Sequence, residues 1–263
     1  MIKLLKRIYS SRDVILRLAI TDLKIKYVGS YMGVLWNLLE PLLIILIYSI
    51  VFPLVLKADF LEWFLFFICG MIPYRFIRKS ITEITTSLVD YSNILGKSRT
   101  DPQIIVFAKA ISNSVSFAIE ISIVLVLVSI FVKPSIFILL LPLVFFINLM
   151  FNVGAGLYFS ILYPRMRDIA YILNIFFEAS FFLAPIIYRI DNIPSLYRGI
   201  YMINPLAKFV YVYQAIILHS SPNFIEYLSL SKELIILFVF SLIVLIMGYK
   251  KFKKEKEISL ELI

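Results

Sequence analysis

Cysteine and histidine are almost missing from this sequence of 263 residues. Cys69 is the single cysteine and His219 is the single histidine. One cysteine excludes a disulfide within the chain and a thiolate metal site, and one histidine excludes a metal cluster built on histidines. The sequence also lacks an internal repeat and the alternating apolar pattern of β-strands. These absences disfavour a disulfide-stabilised domain, a zinc protein and a β-barrel.

Charge is missing from several long stretches, and these stretches predict the fold class. Apolar residues make up 61% of the chain, whereas a soluble domain has about 45–50%. A helix needs about 20 apolar residues to cross the hydrocarbon core of a bilayer. We therefore predict an all-α integral membrane protein that forms one domain over residues 1–263. Its six predicted transmembrane helices are residues 33–56, 61–77, 110–132, 135–162, 169–188 and 234–249.

Residues 1–30 are predicted to form an amphipathic helix on the cytoplasmic membrane surface. Leu16 and Ile20 share one face at helical spacing, and Asp13 and Arg17 share the opposite face. An apolar stripe opposite a charged stripe is typical of a helix that lies in the membrane interface.

Two longer connections separate the predicted transmembrane helices. Residues 80–108 are predicted to form a cytoplasmic loop with a short helical pattern that is broken at Gly96 and Pro102. Residues 189–231 are predicted to form an external segment of short, broken helices that dip back into the outer leaflet. Irregular backbone at that depth must be shielded by protein or line a cavity.

The distribution of basic residues predicts the orientation. If both termini and the loop at 80–108 are cytoplasmic, most of the 26 Lys and Arg residues lie on the cytoplasmic side. This distribution satisfies the positive-inside rule. The net charge of +9 therefore indicates a membrane protein with basic cytoplasmic loops, and we expect no nucleic-acid partner.

Three carboxylates, Glu40, Glu120 and Glu178, fall within the predicted transmembrane helices, and no Lys or Arg lies deep enough to pair with them. Carboxylates inside a membrane are costly, so they mark functional sites by default. They could line a polar path or carry protons. They could equally form hydrogen bonds between helices, and the sequence leaves both interpretations open.

Aromatic residues are abundant at 16% of the chain. Aromatic rings can stack on sugar rings and tolerate sliding, so an aromatic channel suits a moving polymer. Ordinary helix packing and interfacial belts also use aromatic residues, and this alternative stays open for each one. The candidates for a channel lining are Tyr48, Phe52, Phe66, Phe67, Tyr74, Phe177, Phe181 and Tyr188.

The segment Gly96-Lys97-Ser98 resembles the end of a phosphate-binding loop. The full motif needs a glycine five positions before Gly96, where Tyr91 stands, and it needs a preceding strand. We therefore expect no ATP site and no enzymatic activity in this chain.

Several motifs together resemble the type-2 ABC exporter permeases, in particular the branch that exports lipid-linked polysaccharides such as O-antigen, capsule or teichoic acid. The turn Tyr163–Asp168, the segment Ala184–Tyr188 and the pair Asn204-Pro205 are similar to family motifs. Lys26, Glu40 and Gln214 stand where the family commonly has Arg, Gln and Arg. The opening motif is matched in order and spacing by Asp22, Lys24, Lys26, Tyr27, Ser30, Gly33, Trp36, Glu40 and Pro41.

The resemblance implies a homodimer in the bacterial cytoplasmic (inner) membrane that pairs with two separate ATP-binding cassette subunits. ATP and magnesium would bind to those subunits, and this chain would hold no cofactor. External gate helices would include Asn204 and Pro205, and a lipid-linked glycan would be the substrate. The surface that contacts the ATPase would include Asp22, Lys24, Lys26, Tyr27, Lys97, Arg99, Asp101 and Pro102.

Two other functions remain open from the sequence. The same fold could export drugs or small lipids. A proton-coupled secondary transporter could use Glu40, Glu120 or Glu178, although the sequence has no inverted repeat.

Overall fold

The computed structural model of the chain describes residues 10–25, 36–97, 101–201, 203–218 and 224–260. Across these ranges the chain is almost wholly helical. Short 3-10 helices at Ile136–Leu140 and Ile190–Asn192 precede α6 and α8. The α-helices are α1 (Arg12–Ile25), α2 (Trp36–Leu56), α3 (Phe60–Asp90), α4 (Ser92–Lys97), α5 (Pro102–Phe131), α6 (Leu141–Leu162), α7 (Ile169–Phe182), α8 (Ser195–Tyr201), α9 (Pro205–Leu218) and α10 (Phe224–Leu260).

Five helical stretches of the described residues are long and apolar enough to cross a membrane. The predicted helix at 169–188 differs, because α7 is helical only over Ile169–Phe182. Its 14 residues span about 21 Å, whereas the hydrocarbon core is about 30 Å thick. The predicted end at residue 188 is wrong because Pro185 cannot continue a helix. The five long stretches are Leu39–Leu56, Phe60–Asp90, Pro102–Phe131, Ile136–Leu162 and Leu230–Ser259.

Helix α3 overturns the predicted loop at 80–108. Its 31 residues run without a break through the charged positions where we predicted the second helix to stop, at residue 77, and extend about 46 Å. The connection shrinks to 91–101 and contains α4. The charged positions do not end the helix because arginines along it are paired with carboxylates of other helices. Pro73 lies inside α3 and removes one backbone hydrogen bond there.

Helices α5 and α10 are also longer than predicted. We predicted the third and last transmembrane helices at 110–132 and 234–249, but α5 begins at Pro102 and α10 covers Phe224–Leu260. Asp101 caps α5 by accepting a hydrogen bond from the Gln103 backbone N–H at 3.2 Å. The lysine-rich end of α10 stays helical because Glu255 pairs with Lys251 at 3.1 Å and with Arg165 at 3.3 Å.

Helix α3 is the central helix of the bundle. Of its most apolar window, 67% is buried inside the chain, against 22–39% for the other four long stretches. Phe76 of α3 stacks on Phe117 of α5, with ring centroids 4.3 Å apart. Helices α6 and α10 approach closely through Gly154 and Gly248. A Cβ on Gly248 would lie 2.0 Å from the Gly154 carbonyl oxygen, so only glycine fits there.

Helix α1 has the predicted amphipathic character but uses three faces. Leu16 and Ile20 are exposed apolar residues, as expected for a helix in the membrane interface. A third face, Ile15, Ala19 and Asp22, is buried. Ile15 and Ala19 cluster with Ala108 of α5. The remainder of the predicted surface helix lies outside the described residues.

Candidate functional site

A polar groove opens between α2, α3 and α7. It has a volume of about 670 Å³. On α3 its residues recur every three or four positions, so they share one helical face, and the same holds for Glu40, Ile44 and Tyr48 on α2. The groove is lined by Glu40, Ile44, Tyr48, Met71, Tyr74, Arg75, Arg78, Lys79, Thr82, Glu83, Glu178, Phe181 and Phe182.

Two ion pairs connect the helices that line the polar groove. Arg75 Nη1 lies 3.5 Å from Glu40 Oε1, and Arg78 Nη2 lies 3.4 Å from Glu178 Oε1. The expectation that these carboxylates lack basic partners was therefore wrong. It failed because it assumed that the second transmembrane helix stops at residue 77, whereas α3 carries its arginines into the groove.

The third predicted intramembrane carboxylate lies elsewhere. Glu120 of α5 is 6% exposed and lines a separate, mostly apolar cavity of about 200 Å³ together with Pro41. The structure therefore brings Glu40 and Glu178 to one groove and leaves Glu120 out of it.

The charges in the polar groove balance. The cations Arg75, Arg78 and Lys79 face the anions Glu40, Glu83 and Glu178. Guanidinium and ammonium groups donate hydrogen bonds and carboxylates accept them. A neutral ligand with many hydroxyls would find both partners here, whereas a strongly charged ligand would meet repulsion from half of the lining.

Three of the predicted channel aromatics line this groove. Tyr48, Tyr74 and Phe181 come from α2, α3 and α7. The ring of Tyr48 lies 5.9 Å from that of Phe181, and Tyr74 lies 5.7 Å from Phe181. The Tyr74 hydroxyl donates to the Phe177 carbonyl oxygen and lies 2.8 Å from Ser180 Oγ. The groove therefore has a fixed aromatic wall beside its ion pairs.

The other predicted channel aromatics lie away from the groove lining. Phe67 and Phe177 are 0% and 1% exposed, so within this chain they serve packing. Phe52 continues the ring contacts of Tyr48 at 5.4 Å. Phe66 lies under the Arg189 guanidinium at 5.5 Å, and the Tyr188 hydroxyl donates to the Phe182 carbonyl at 2.7 Å.

The contacts of Phe66 and Tyr188 lie at one end of the bundle. We call this the α8 end, because it contains α8, and it also contains residues 57–59. There Arg189 Nη2 pairs with Glu62 Oε1 at 2.6 Å. Trp63 donates from Nε1 to the Ile187 carbonyl at 2.8 Å. Asn204 caps α9, because its side-chain oxygen accepts from the Leu206 backbone N–H at 3.0 Å.

Gln214 anchors α9 inside the bundle. Its amide nitrogen donates to the carbonyls of Phe66 at 3.2 Å and Pro185 at 3.0 Å. A Cβ on Gly70 would lie 2.5 Å from this amide, so glycine leaves room for it. The anchor fixes the backbone that follows α7.

The predicted ATPase-contacting residues gather at the α4 end, the end that contains α1 and α4. Lys24 is exposed, but Asp22 is only 5% exposed and is therefore not a surface residue. Lys97 ends α4, Asp101 caps α5 and Pro102 is the buried first residue of α5. Lys26, Tyr27 and Arg99 lie outside the described residues.

Sequence reasoning missed Arg75, Arg78 and Lys79 as groove residues. A signal was present, because Ile77 and Ile84 belong to an apolar pattern at helical spacing that continues past the arginines.

Sequence reasoning also missed Tyr91, Lys109 and Ser112, which surround Asp22. No local pattern singles these out, since their proximity depends on how α1 packs against α5.

Comparison with known proteins identifies relatives along most of the chain. Residues 16–218 match the family described as "ABC-2 type transporter". Two O-antigen export system permease proteins RfbA from Klebsiella pneumoniae are each 26% identical over 246 residues, which is 93% of this chain and 92% of the relative. An O-antigen export system permease protein RfbA from Myxococcus xanthus is 26% identical over 219 residues, with 82% and 84% covered.

Proposed function

Because this chain belongs to the ABC-2 type transporter family, whose members are membrane-spanning permeases that work with an ATP-binding partner, we propose that it exports a lipid-linked polysaccharide across the bacterial cytoplasmic membrane. The relatives named for O-antigen export support a glycan cargo of the O-antigen type. The balanced charges of the groove favour such a cargo over the strongly anionic teichoic-acid type.

The polar groove is the observation that carries this proposal. It combines balanced cations and anions with the aromatic side chains Tyr48, Tyr74 and Phe181. Sugars present hydroxyls at the ring edge and C–H groups on the ring faces. Charged side chains would bind the hydroxyls, and the half-buried ring of Tyr48 would pack against the faces, whereas Tyr74 and Phe181 are only 2% and 7% exposed and support that ring. In this proposal the glycan moves along the groove, and a second copy of the chain completes the path.

The same proposal includes a topology. The α4 end is cytoplasmic, both termini lie on that side, and α7 with the turn after it serves as the fifth of six transmembrane segments. Helices α8 and α9, with Asn204 and Pro205 at the start of α9, form the external gate. The excess of basic residues near the α4 end supports this orientation.

The ATP-binding partner would dock at the α4 end in two copies and would hold the ATP and magnesium. The exposed polar face of α1, including Lys24, and the short helix α4, ending at Lys97, are the surfaces available for it. Proton-coupled transport through Glu40 and Glu178 loses support, because both carboxylates are paired with arginines of α3.

The test is export by the permease co-purified with its ATP-binding subunit and reconstituted in vesicles that contain a lipid-linked glycan. Tyr48→Ala is expected to lower ATP-dependent glycan export. Tyr171→Ala is the matched control, because Tyr171 is likewise a tyrosine on a helix that borders the groove, near the start of α7, but is 71% exposed and does not line the groove. Loss of drug or small-lipid export in Tyr48→Ala with glycan export intact would overturn the glycan assignment.

A further inference from the structure

Asp22 of α1 is the centre of a buried polar cluster that joins several helices. Its Oδ1 lies 2.6 Å from Lys109 Nζ and accepts a hydrogen bond from the Tyr91 hydroxyl at 2.8 Å. Its Oδ2 accepts from the Ser112 hydroxyl at 2.7 Å. We call these four residues, Asp22, Tyr91, Lys109 and Ser112, the Asp22 cluster.

Both charged members of the Asp22 cluster are removed from water. Asp22 is 5% exposed and Lys109 is 8% exposed. A buried ion pair adds little net stability compared with an apolar replacement, but removing one partner leaves an unpaired buried charge. Such a pair therefore fixes the relative position of its two helices more than it strengthens the fold.

Lys109 also connects the Asp22 cluster to the central helix, α3. Lys109 Nζ lies 3.8 Å from Glu83 of α3 and 5.8 Å from the centre of the Tyr91 ring. Tyr91 is the first residue after α3 and the last before α4. Its hydroxyl therefore ties the junction between α3 and α4 directly to α1.

Ile15 and Ala19, with the partly buried Leu18 beside them, form the apolar contact of α1 with α5. Apolar contact is non-directional and does not by itself fix the rotation of a helix. The three directed bonds to Asp22 determine the position and rotation of α1, because each bond weakens steeply when its geometry changes.

We propose that Asp22 is a positioning residue for ATP-driven transport. It makes α1 and the α3–α4 junction move together with α5, so that a force applied at either proposed docking surface reaches the transmembrane helices as one displacement. This inference rests on the proposed docking of the ATP-binding subunit at the α4 end. Asp22 itself does not touch that subunit, because its carboxylate is enclosed by the cluster.

The first experiment measures the glycan exported per ATP hydrolysed by the reconstituted complex. Asp22→Asn keeps the side-chain shape and removes the charge, and Tyr91→Phe removes only one hydroxyl. Both are expected to lower the ratio by at least about fivefold, the lower end for energetic coupling between sites, while ATP hydrolysis continues. Asp59→Asn, at an exposed position of the α8 end where Asn can keep the cap of α3, is the matched control and should stay within about twofold.

A second measurement does not depend on the cargo. Spin labels at Lys24→Cys on α1 and Asn93→Cys on α4 report the distance between these helices, and both positions are exposed whereas the native Cys69 is buried. Tyr91→Phe is expected to broaden the distance distribution in the full-length permease without the ATP-binding subunit, because both labels lie on the proposed docking surfaces.

An unchanged distance distribution together with an unchanged export ratio would overturn the proposal. Loss of the complex in all the cluster variants, with the ratio normal in whatever assembles, would also overturn it and leave Asp22 a purely structural residue. Failure of the unmodified complex to export glycan would contradict the proposed function instead, and the spin-label result would then still decide whether the cluster holds α1 to α4.

Discussion

The Asp22 cluster and the polar groove use the same chemistry in opposite surroundings. In both, a carboxylate from one helix faces a cation from another. Asp22 is 5% exposed and 2.6 Å from its lysine, whereas the side chain of Glu40 is 63% exposed and 3.5 Å from its arginine. Water reaches the Glu40 carboxylate, although the Arg75 side chain is only 15% exposed, so a ligand can replace this pair. The enclosed pair cannot be replaced, and it serves as a permanent connection.

The largest expected effect is on the enclosed pair. Lys109→Met leaves the carboxylate of Asp22 buried without its cation, and we expect a loss of about 3–5 kcal/mol in the free energy of unfolding. The measurement is thermal or denaturant unfolding of the purified protein in detergent. Lys24→Met, at the exposed end of α1, is the control and should stay within about 0.5 kcal/mol. Equal losses in the two variants would show that the enclosed lysine is no more important for stability than an exposed one, which would contradict the role given to the Asp22 cluster.

Tyr91→Phe is a smaller change to the Asp22 cluster than Lys109→Met. It removes one hydrogen bond to Asp22, which we expect to contribute about 1 kcal/mol at neutral pH. Burial, and then the hydrogen bond to Asp22, raise the pKa of the Tyr91 hydroxyl, so folding favours its protonated form. This contribution is complete below about pH 10, the ordinary tyrosine pKa, and is lost as the pH rises through the raised value.

The corresponding measurement is unfolding as a function of pH in the alkaline range. The unmodified protein should lose stability more steeply than Tyr91→Phe above the ordinary tyrosine pKa. Identical alkaline profiles for the two proteins would show that the hydroxyl is not held by the cluster.

Smaller effects on stability are expected in the polar groove. Arg75→Gln should cost only about 0–1 kcal/mol, since water can hydrate the exposed Glu40 once its partner is gone. The same variant should lower glycan export, because it removes a hydrogen-bond donor from the groove. A double-mutant cycle of Arg75→Gln with Glu40→Gln measures the pair directly. A coupling energy as large as that of Asp22 with Lys109 would contradict the distinction between the two regions.

The smallest expected effect is the response to salt. Salt screens exposed pairs strongly and enclosed pairs weakly. The coupling energy of Arg78 with Glu178, whose side chains are 37% and 67% exposed, should therefore fall as salt is raised. The coupling energy of Asp22 with Lys109 should stay nearly constant over the same range.

Much of the fold can be predicted from the sequence, but the lengths of two helices cannot. Five of the predicted transmembrane helices correspond to long apolar helices, and the family was recognised from motif order. The lengths of α3 and α10 were underestimated because the prediction ended each helix at its first basic cluster. In the structure, Glu40 of α2 pairs with Arg75 of α3, and Glu255 of α10 pairs with Lys251 of the same helix, so charge does not end these helices.

The candidate site was harder to predict than the fold. Tyr48, Tyr74 and Phe181 follow from their positions on three helices, but the groove depends on Arg75 and Arg78 being helical. Asp22 was assigned to a docking surface because it belongs to the opening motif, and the family resemblance implies that the interfacial helix contacts the ATPase. Its bonds to Lys109 and Ser112, together with the packing of α1 on α5, turn it inward.

The proline within α3 has a mechanical consequence. Helix α3 is held at one end by the bond from Trp63 to the Ile187 carbonyl and followed at the other by Tyr91 and its bond to Asp22. Pro73 lies between these anchors and immediately precedes Tyr74 and Arg75 in the groove. A rod that is fixed at both ends and has one missing internal bond bends at that bond. The central helix therefore bends most easily at Pro73, at the level of the groove. Bending α3 changes the width of the groove while both ends of the helix stay in place.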